Sequence, residues 1–404
     1  MKKVPRLRFR GFQEDWELCK FEKLTDFFSG LTYSPDNVQK DGTFVLRSSN
    51  VKDNAIVSAD NVYVRNEVAN SEHVQVGDVI VVVRNGSRSL IGKHAPINRE
   101  MPNTVIGAFM TGLRSPSPKF LKALLDTQQF NVEIHKNLGA TINQITTGEF
   151  KRMHFTVPID EDEKEKIGSL FRQLDDIIAL HQRKLDQLKE LKTAYLQVIF
   201  PVKDERVPKL RFADFEEEWE LCKLGDLANI VGGGTPNTNN PKCWDGNIDW
   251  YAPAEIKEKI YVTGSKKRIT ELGLQKSSAK VLPIGTVLFT SRAGIGNTAI
   301  LAKKGTTNQG FQSIIPNKNK LDTYFIFSRT HELKKYGEAV GAGSTFVEVS
   351  GKQMAKMPML TPRFNEQQAI GMFFKKIDDI ITLHQNKLEQ LKDLKTSYLQ
   401  NMFI

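Results

Sequence analysis

The sequence predicts an α+β molecule: two globular domains of mixed strand and helix content, separated by two long antiparallel helices that form a coiled coil, with a pseudo-two-fold internal repeat. Three observations predict it. The first is a repeat at a spacing of 203 residues, in which Val4-Pro5-Arg6-Leu7-Arg8-Phe9 and Trp16-Glu17-Leu18-Cys19-Lys20 return as Val207-Pro208-Lys209-Leu210-Arg211-Phe212 and Trp219-Glu220-Leu221-Cys222-Lys223. Phe171–Gln197 likewise returns as Phe374–Gln400, with 19 of 27 positions identical. The second is a helical periodicity confined to that late repeat. The third is the divergence of everything between the repeated pieces. A repeat unit this long describes two domain-scale halves, not a solenoid of short stacked motifs.

Taken in order, the elements are a first domain at 1–158, a helix at 159–200, a linker at 201–206, a second domain at 207–362 and a second helix at 363–404. The first domain carries short β-like runs at Thr43–Leu46, Val79–Val83 and Val105–Met110, punctuated by Asp41-Gly42 and Asn85-Gly86. A helical stretch at Lys119–Phe130 closes it, as Thr323–Tyr336 closes the second. Pro158 precedes the first long helix, with Asp160 and Glu163 spaced as a capping box, and Pro201 ends it; Pro362 and Asn365 precede the second. Each helix is expected to run about 40 residues, or roughly 60 Å at ~1.5 Å per residue.

The apolar stripe of the first helix runs Phe171, Leu174, Ile178, His181, Leu185, Leu188, then Leu191 and Tyr195. The second runs Phe374, Ile377, Ile381, His384, Leu388, Leu391, then Leu394 and Tyr398. Steps of three and four mark a coiled-coil seam. Such a stripe must be covered, and the economical cover is its own copy, paired antiparallel about a pseudo-two-fold axis. For His181 and His384 a hydrogen-bonded imidazole near the helix crossing is preferred to a metal or catalytic role.

Composition narrows the function. The chain of 404 residues has room for two or three domains. The basic start, Met1-Lys2-Lys3-Val4-Pro5-Arg6, is followed by no apolar stretch, so a secretory signal is not expected; nor is a membrane span, and the expected location is cytoplasmic. Cys19, Cys222 and Cys243 form neither a CxxC pair nor a zinc set, so no metal site is expected. The net charge of +10 is unevenly placed. The helical segments 161–200 and 366–404 hold 7 basic against 8 acidic and 5 against 5 residues, whereas 1–160 carries +4 and 201–365 carries +7. The positive field therefore sits on the divergent domains, as an attraction to phosphates requires.

Base readout needs forked or amide side chains on loops, and phosphate contacts need Lys, Arg, Ser and backbone N–H. In the first domain Arg47-Ser48-Ser49-Asn50, Arg84-Asn85, Arg88 and Lys93 offer that chemistry. In the second the candidates are Lys266-Lys267-Arg268, Ser291-Arg292, Asn297 and Asn308-Gln309. Arg84 and Arg292 stand out because each follows an apolar strand and precedes a glycine turn. Tyr251 is better placed in a core than as a wedge between bases. Hidden catalysis finds little support. There is no Asp/Asn-Pro-Pro-aromatic motif for amino methylation and no GxxxxGK[ST]. Asp249 with Glu255-Ile256-Lys257 is the nearest approach to a Mg²⁺ nuclease signature and is common by chance.

The second domain resembles a known family. The order of Gly232-Gly233-Gly234-Thr235-Pro236, Trp244-Asp245-Gly246-Asn247-Ile248-Asp249-Trp250, Thr290-Ser291-Arg292-Ala293-Gly294-Ile295-Gly296 and Asn308-Gln309-Gly310-Phe311-Gln312 is similar to the target-recognition domain of type I restriction–modification specificity (S) subunits. Gly341-Ala342-Gly343-Ser344-Thr345, Pro362, Glu366-Gln367-Gln368 and the following helix match the way that family leaves its recognition domain. The first half follows more weakly. Gly77-Asp78-Val79 resembles Gly285-Thr286-Val287, Gly107-Ala108-Phe109 stands near Gly310-Phe311, and Gly139-Ala140-Thr141 resembles Gly343-Ser344-Thr345. The Gly-Gly-Gly-Thr-Pro and Asn-Gln-Gly-Phe-Gln elements are missing there.

The resemblance implies two target-recognition domains that each read half of a bipartite double-stranded DNA target, with a spacer set by the helices. It implies a non-catalytic chain with no cofactor of its own. Two adenine methyltransferase (modification) subunits would dock on it, joined by restriction subunits in the full complex, and S-adenosylmethionine, ATP and Mg²⁺ would belong to those partners. The rival readings are a stand-alone DNA-binding repressor, a Mg²⁺ nuclease and a coiled-coil adaptor.

Overall fold

The structure, a computed structural model, describes residues 4–138, 143–202, 205–256, 259–292, 294–342 and 348–404. The chain forms two compact units, Met1–Arg183 with Gln385–Ile404, and Lys184–His384. Each unit has the same frame. In the first, strand β1 (Glu17–Lys20) pairs antiparallel with β2 (His154–Val157), and helix α1 (Glu161–Ile199) follows. In the second, β3 (Glu220–Lys223) pairs with β4 (Pro358–Thr361), and helix α2 (Phe364–Met402) follows. Each long helix spans 39 residues. Asn365 lies inside the first turn of α2 rather than before it.

Each unit is closed by the end of the other half's helix. In the first, Phe403 packs its ring against Trp16 (6.1 Å), Phe120 (5.8 Å) and Phe171 (5.9 Å), and Leu7 N–H donates to Asn401 O at 2.8 Å. In the second, Phe200 meets Trp219 (6.1 Å), Phe325 (5.7 Å) and Phe374 (5.9 Å), and Leu210 N–H donates to Val198 O at 2.9 Å. Phe171 and Phe374 lie near helix starts, and Phe403 and Phe200 lie just past helix ends. The helices are therefore antiparallel, and each of these contacts recurs 203 positions away except that the counterpart of Phe120, Phe325, lies 205 positions on.

A buried ion pair locks the entry to each helix. Arg8 donates Nε and Nη2 to Glu163 at 2.7 and 2.8 Å, and Arg211 does the same to Glu366 at 2.8 and 2.7 Å. Trp219 Nε1 adds a third donor to Glu366, whereas the buried Nε1 of Trp16 has no hydrogen-bond partner among the described residues. This corrects the expected capping box. Asp160 caps α1, accepting from the N–H groups of Asp162 and Glu163, but the Glu163 carboxylate is spent on Arg8. A bidentate, desolvated Arg–carboxylate pair outcompetes a single backbone N–H.

The seam is apolar over most of its expected length. Phe171, Leu174, Leu185 and Leu188 are buried on α1, and Phe374, Ile377, Ile381, Leu388 and Leu391 on α2; Ile178, His181 and His384 are half-buried. The next expected positions depart, because Leu191 and Leu394 are 44% and 38% exposed. Lys192 and Lys395 turn inward instead. Lys192 donates to Asp378 at 2.6 Å, which also accepts from the Tyr324 hydroxyl at 2.8 Å. Lys395 bridges Asp126 and Asp175, both at 2.6 Å. A helix near 3.6 residues per turn drifts off a strict seven-residue repeat, so the buried face advances by one position.

Asp126 ties the first domain to α2 through Lys395, and Lys122 and Lys395 both reach Asp175 on α1. The Asp126 carboxylate also receives Lys122 at 2.5 Å and His94 Nε2 at 3.0 Å. Burial would raise the Asp126 carboxyl, but the His94 hydrogen bond and the Lys122 and Lys395 ammoniums outweigh it and hold it far below the carboxylate range. Burial lowers Lys395, and Asp126 with Asp175 more than reverses that.

The two domains, so different in sequence, share one topology. In the first, strands run in the order Asp26–Ser29, Met110–Arg114, Val79–Val82, His94–Pro96. In the second the order is Ala228–Gly232, Gln312–Pro316, Val287–Phe289, Thr298–Leu301, with Tyr261–Val262 added at the edge. Beside these lies a second sheet, in which Thr104–Ile106 runs parallel to Thr43–Leu46, and Thr306–Thr307 runs parallel to Trp250-Tyr251. Three expected elements are broken. Val105–Met110 is two strands separated by the turn at 107–109, and Lys119–Phe130 is two helices parted where Thr127 caps the second. Thr323–Tyr336 splits at Arg329, whose guanidinium lies over Phe200 and Phe325. Cys19 and Cys243 are buried and Cys222 half-buried, all free thiols.

Candidate nucleic-acid interface

In the first domain, strand Val79–Val82 ends at Val83-Arg84, and both N–H groups reach the carbonyl of Phe109 (3.0 and 3.2 Å). Asn85 then donates to Ser48 Oγ at 3.0 Å, and its own oxygen accepts from Ser87 N–H. Asn143 Nδ2 bonds the carbonyl of Gly86. The loops at 47–50, 84–88, 107–109 and 143–144 thus form one surface. On it Arg84 lies over the Phe109 ring at 5.0 Å, and Phe109 is 49% exposed, the one exposed phenylalanine among the described residues. Sequence reasoning missed Phe109 because the apolar run around it reads as continuous strand.

The other candidates here divide by burial. Asn50 is fully buried and holds its loop from inside, accepting from Arg47 N–H and donating to Val57 O and Ala59 O. Arg47 is half-buried with Nη2 on Asp60 O, and the Ser49 hydroxyl is buried. Arg88 and Lys93 are exposed, farther along the loop that follows Arg84.

The second domain builds the matching surface from other residues. Ser291 N–H reaches Gly310 O at 2.8 Å, the bond that Val83 makes to Phe109, so Arg292 occupies the place of Arg84 and Gly310 that of Phe109. Arg292 is held by Glu348 at 2.8 Å. Gly233 and Gly234 pass so close to Thr307, Asn308 and Ala279 that no side chain fits, which accounts for the glycine run. Thr235 then donates to Gln309 Oε1, and Trp250 Nε1 to Gly234 O. Gly30 sits against Gly107 in the same way in the first domain, so that half keeps the close approach without the motif.

Around that centre, Lys267 lies 5.6 Å over the Trp244 ring, and Arg268 pairs with Asp249 at 3.4 Å. Lys266 is exposed and its N–H donates to Glu255. Ser291 is fully buried, and Asn297 and Asn308 brace their own turns through Gly294 O and Gly310 N–H. Tyr251 is core: burial pushes its phenol up to about 12. The carboxylates nearest to a Mg²⁺ signature are loop braces, Asp249 for Ser265 and Glu255 for Ala252 and Lys266; Lys257 lies outside the described residues, as do Ala293, Gly139-Ala140-Thr141 and Gly343-Ser344-Thr345. No helix among the described residues is long and apolar enough to cross a membrane.

Comparison with known proteins gives a consistent result. The profile of the family described as type I restriction modification DNA specificity domain matches residues 13–190 and again 216–393. A specificity subunit of the type I restriction enzyme MjaIX from Methanocaldococcus jannaschii is 33% identical over 46% of this chain and 44% of its own length. The putative MjaX specificity subunit of that organism is 24% identical over 95% of this chain and 91% of its own. In fold, the crystal structure of a type I restriction–modification S subunit from M. genitalium superposes with a TM-score of 0.69 at 14% identity, covering 99% of both chains.

Proposed function

The chain belongs to the type I restriction–modification DNA specificity family, and from that premise we propose that each of its two domains reads one half of a bipartite double-stranded DNA target. The observation that carries this reading is one topology presenting different side chains at equivalent loop positions. Arg84 with Phe109 in the first domain corresponds in position to Arg292 with Gln309 and Gly310 in the second. Domains that share a scaffold and differ at their loops are suited to unrelated half-sites. Phosphate contacts fall to exposed lysines and arginines, and base-edge contacts to Arg84, Arg292 and Gln309.

The partner reading rests on the repeat. The first unit exposes Ile177 and Leu180 on α1, 41% and 58% exposed, and the second exposes their equivalents Ile380 and Leu383 on α2, 43% and 67% exposed. Apolar side chains repeated on the outer face of each helix suit two copies of one protein. These would be the modification (adenine methyltransferase) subunits, which would bring S-adenosylmethionine; restriction subunits would bring ATP and Mg²⁺.

The test is co-expression with the modification subunit in a methylation-free host, followed by long-read mapping of modified adenines. One split motif with a fixed gap and unrelated halves is the expected result. A stable complex that modifies no adenine overturns the reading and favours a stand-alone DNA-binding protein.

A further inference from the structure

The first unit holds a basic cleft apart from the loops around Arg84. It has a volume of about 660 Å³ and opens between the 88–94 segment, the helix Gln128–Asn137 and the last turns of α2. Arg88, Lys93 and Lys392 stand exposed on its rim, and no carboxylate among the described residues pairs with them. Asp126 is the one carboxylate in the lining, and His94, Lys122 and Lys395 neutralise it. Three unopposed cations around a concave wall make a focused positive field.

The rim favours an extended polyanion over a single small one. A free phosphate is caged by backbone N–H groups turned toward one point. Here the N–H groups of Leu90, Ile91, Gly92 and Lys93 are already bonded to Ser87, Arg88, Val82 and Leu90 carbonyls. What remains are long side chains from three separate elements, suited to successive charges. Arg88 also lies four residues beyond Arg84, so the rim continues the surface assigned to the first half-site.

We propose that this cleft holds the DNA phosphate backbone flanking the first half-site, a sequence-independent contact made jointly by the domain through Arg88 and Lys93 and by helix α2 through Lys392. The proposal rests on the reading that the domains bind DNA. Lys392 and Lys395 would then do different work one turn apart, Lys395 joining domain to helix and Lys392 facing the polyanion.

The experiment measures affinity of the full chain, complexed with its modification subunit, for a target duplex and a random duplex across a salt series. Lys392→Gln is expected to weaken both duplexes by the same factor, several-fold. It should reduce the slope of log Kd against log salt by about 0.9, the value for one phosphate contact, and Lys93→Gln with Lys392→Gln by about twice that. The methylated motif should not change. An unaltered slope in both variants overturns the cleft while the motif still stands. A loss confined to the target duplex makes it a base reader, and a loss of modification-subunit binding makes it a protein interface; either overturns the proposal. A parent complex that binds neither duplex overturns the domain reading and the cleft together.

Discussion

A methyl group added to Gly233 would lie 1.9 Å from the Asn308 carbonyl oxygen, and one added to Gly30 would lie 2.0 Å from that of Gly107. The backbone at each approach is held by hydrogen bonds, Gly233 and Gly234 N–H to Phe311 and Thr307 O, and Leu31 and Gly107 N–H to Ile106 and Leu46 O. Gly233→Ala is expected to cost roughly 1–3 kcal/mol or more and to disturb the second domain alone, seen as lost protection of its loops in hydrogen exchange. The strand-exit arginines make a sharper pair. Arg84→Ala should weaken discrimination at one half-site and Arg292→Ala at the other, each by about 1–3 kcal/mol if the contact is bidentate to guanine. Binding to duplexes altered in one half at a time measures this, and a uniform loss would mark a phosphate contact. Asp126 is one of the groups that make the fold acid-sensitive. Its folded carboxyl is depressed, so its contribution is complete above the unfolded value near ~3.9 and is lost as pH falls below it. Asp126→Asn should cost about 3–5 kcal/mol at neutral pH, since Lys395 loses a buried partner. It should also flatten the fall of Tm between about pH 5 and 3. Of these residues, Arg84 and Arg292 were singled out as candidates by their strand-then-glycine context. Asn50 and Ser291 look the same in a sequence, and only their burial separates them.

The long helices were the most legible elements, because a period of three and four sustained over many turns has one cheap explanation. The last part of their seam, past Leu188 and Leu391, was not. The inward turn of Lys192 and Lys395 depends on Asp378, Asp126 and Asp175, each brought close by folding. Phe403→Ala and Phe200→Ala, at ring clusters that close the first and second units, should each destabilise by about 3–5 kcal/mol, read from denaturant midpoints. The outer face has a separate role. Leu180→Glu with Leu383→Glu should leave the fold unchanged by circular dichroism while abolishing co-purification of the modification subunit. Retained binding would move the docking face elsewhere. The short elements were read less well, since a turn such as 107–109 or a cap such as Thr127 interrupts an apolar run without changing its composition.

At the scale of the whole molecule, replacing residues 20–157 with the equivalent domain of another specificity subunit should change one half of the methylated motif and leave the other half and the gap intact. Adenine mapping before and after the exchange tests it, and a change in both halves would mean that the domains do not read independently. The repeat explains why such an exchange is feasible: β1, β2 and the helix starts carry a frame that recurs in the second unit, and the core of the inserted domain joins that frame through residues such as Phe120. The sequence by itself determined the duplication, the two helices, the uneven charge and the family, because these are carried by identity and periodicity along the chain. Only the tertiary structure decided that the divergent domains share one sheet order, that Gly30 stands for Gly233, and that Phe109 stands where the second domain has Gly310. Backbone hydrogen bonding is indifferent to most side chains, so two sequences can diverge past recognition while their strands keep the same partners.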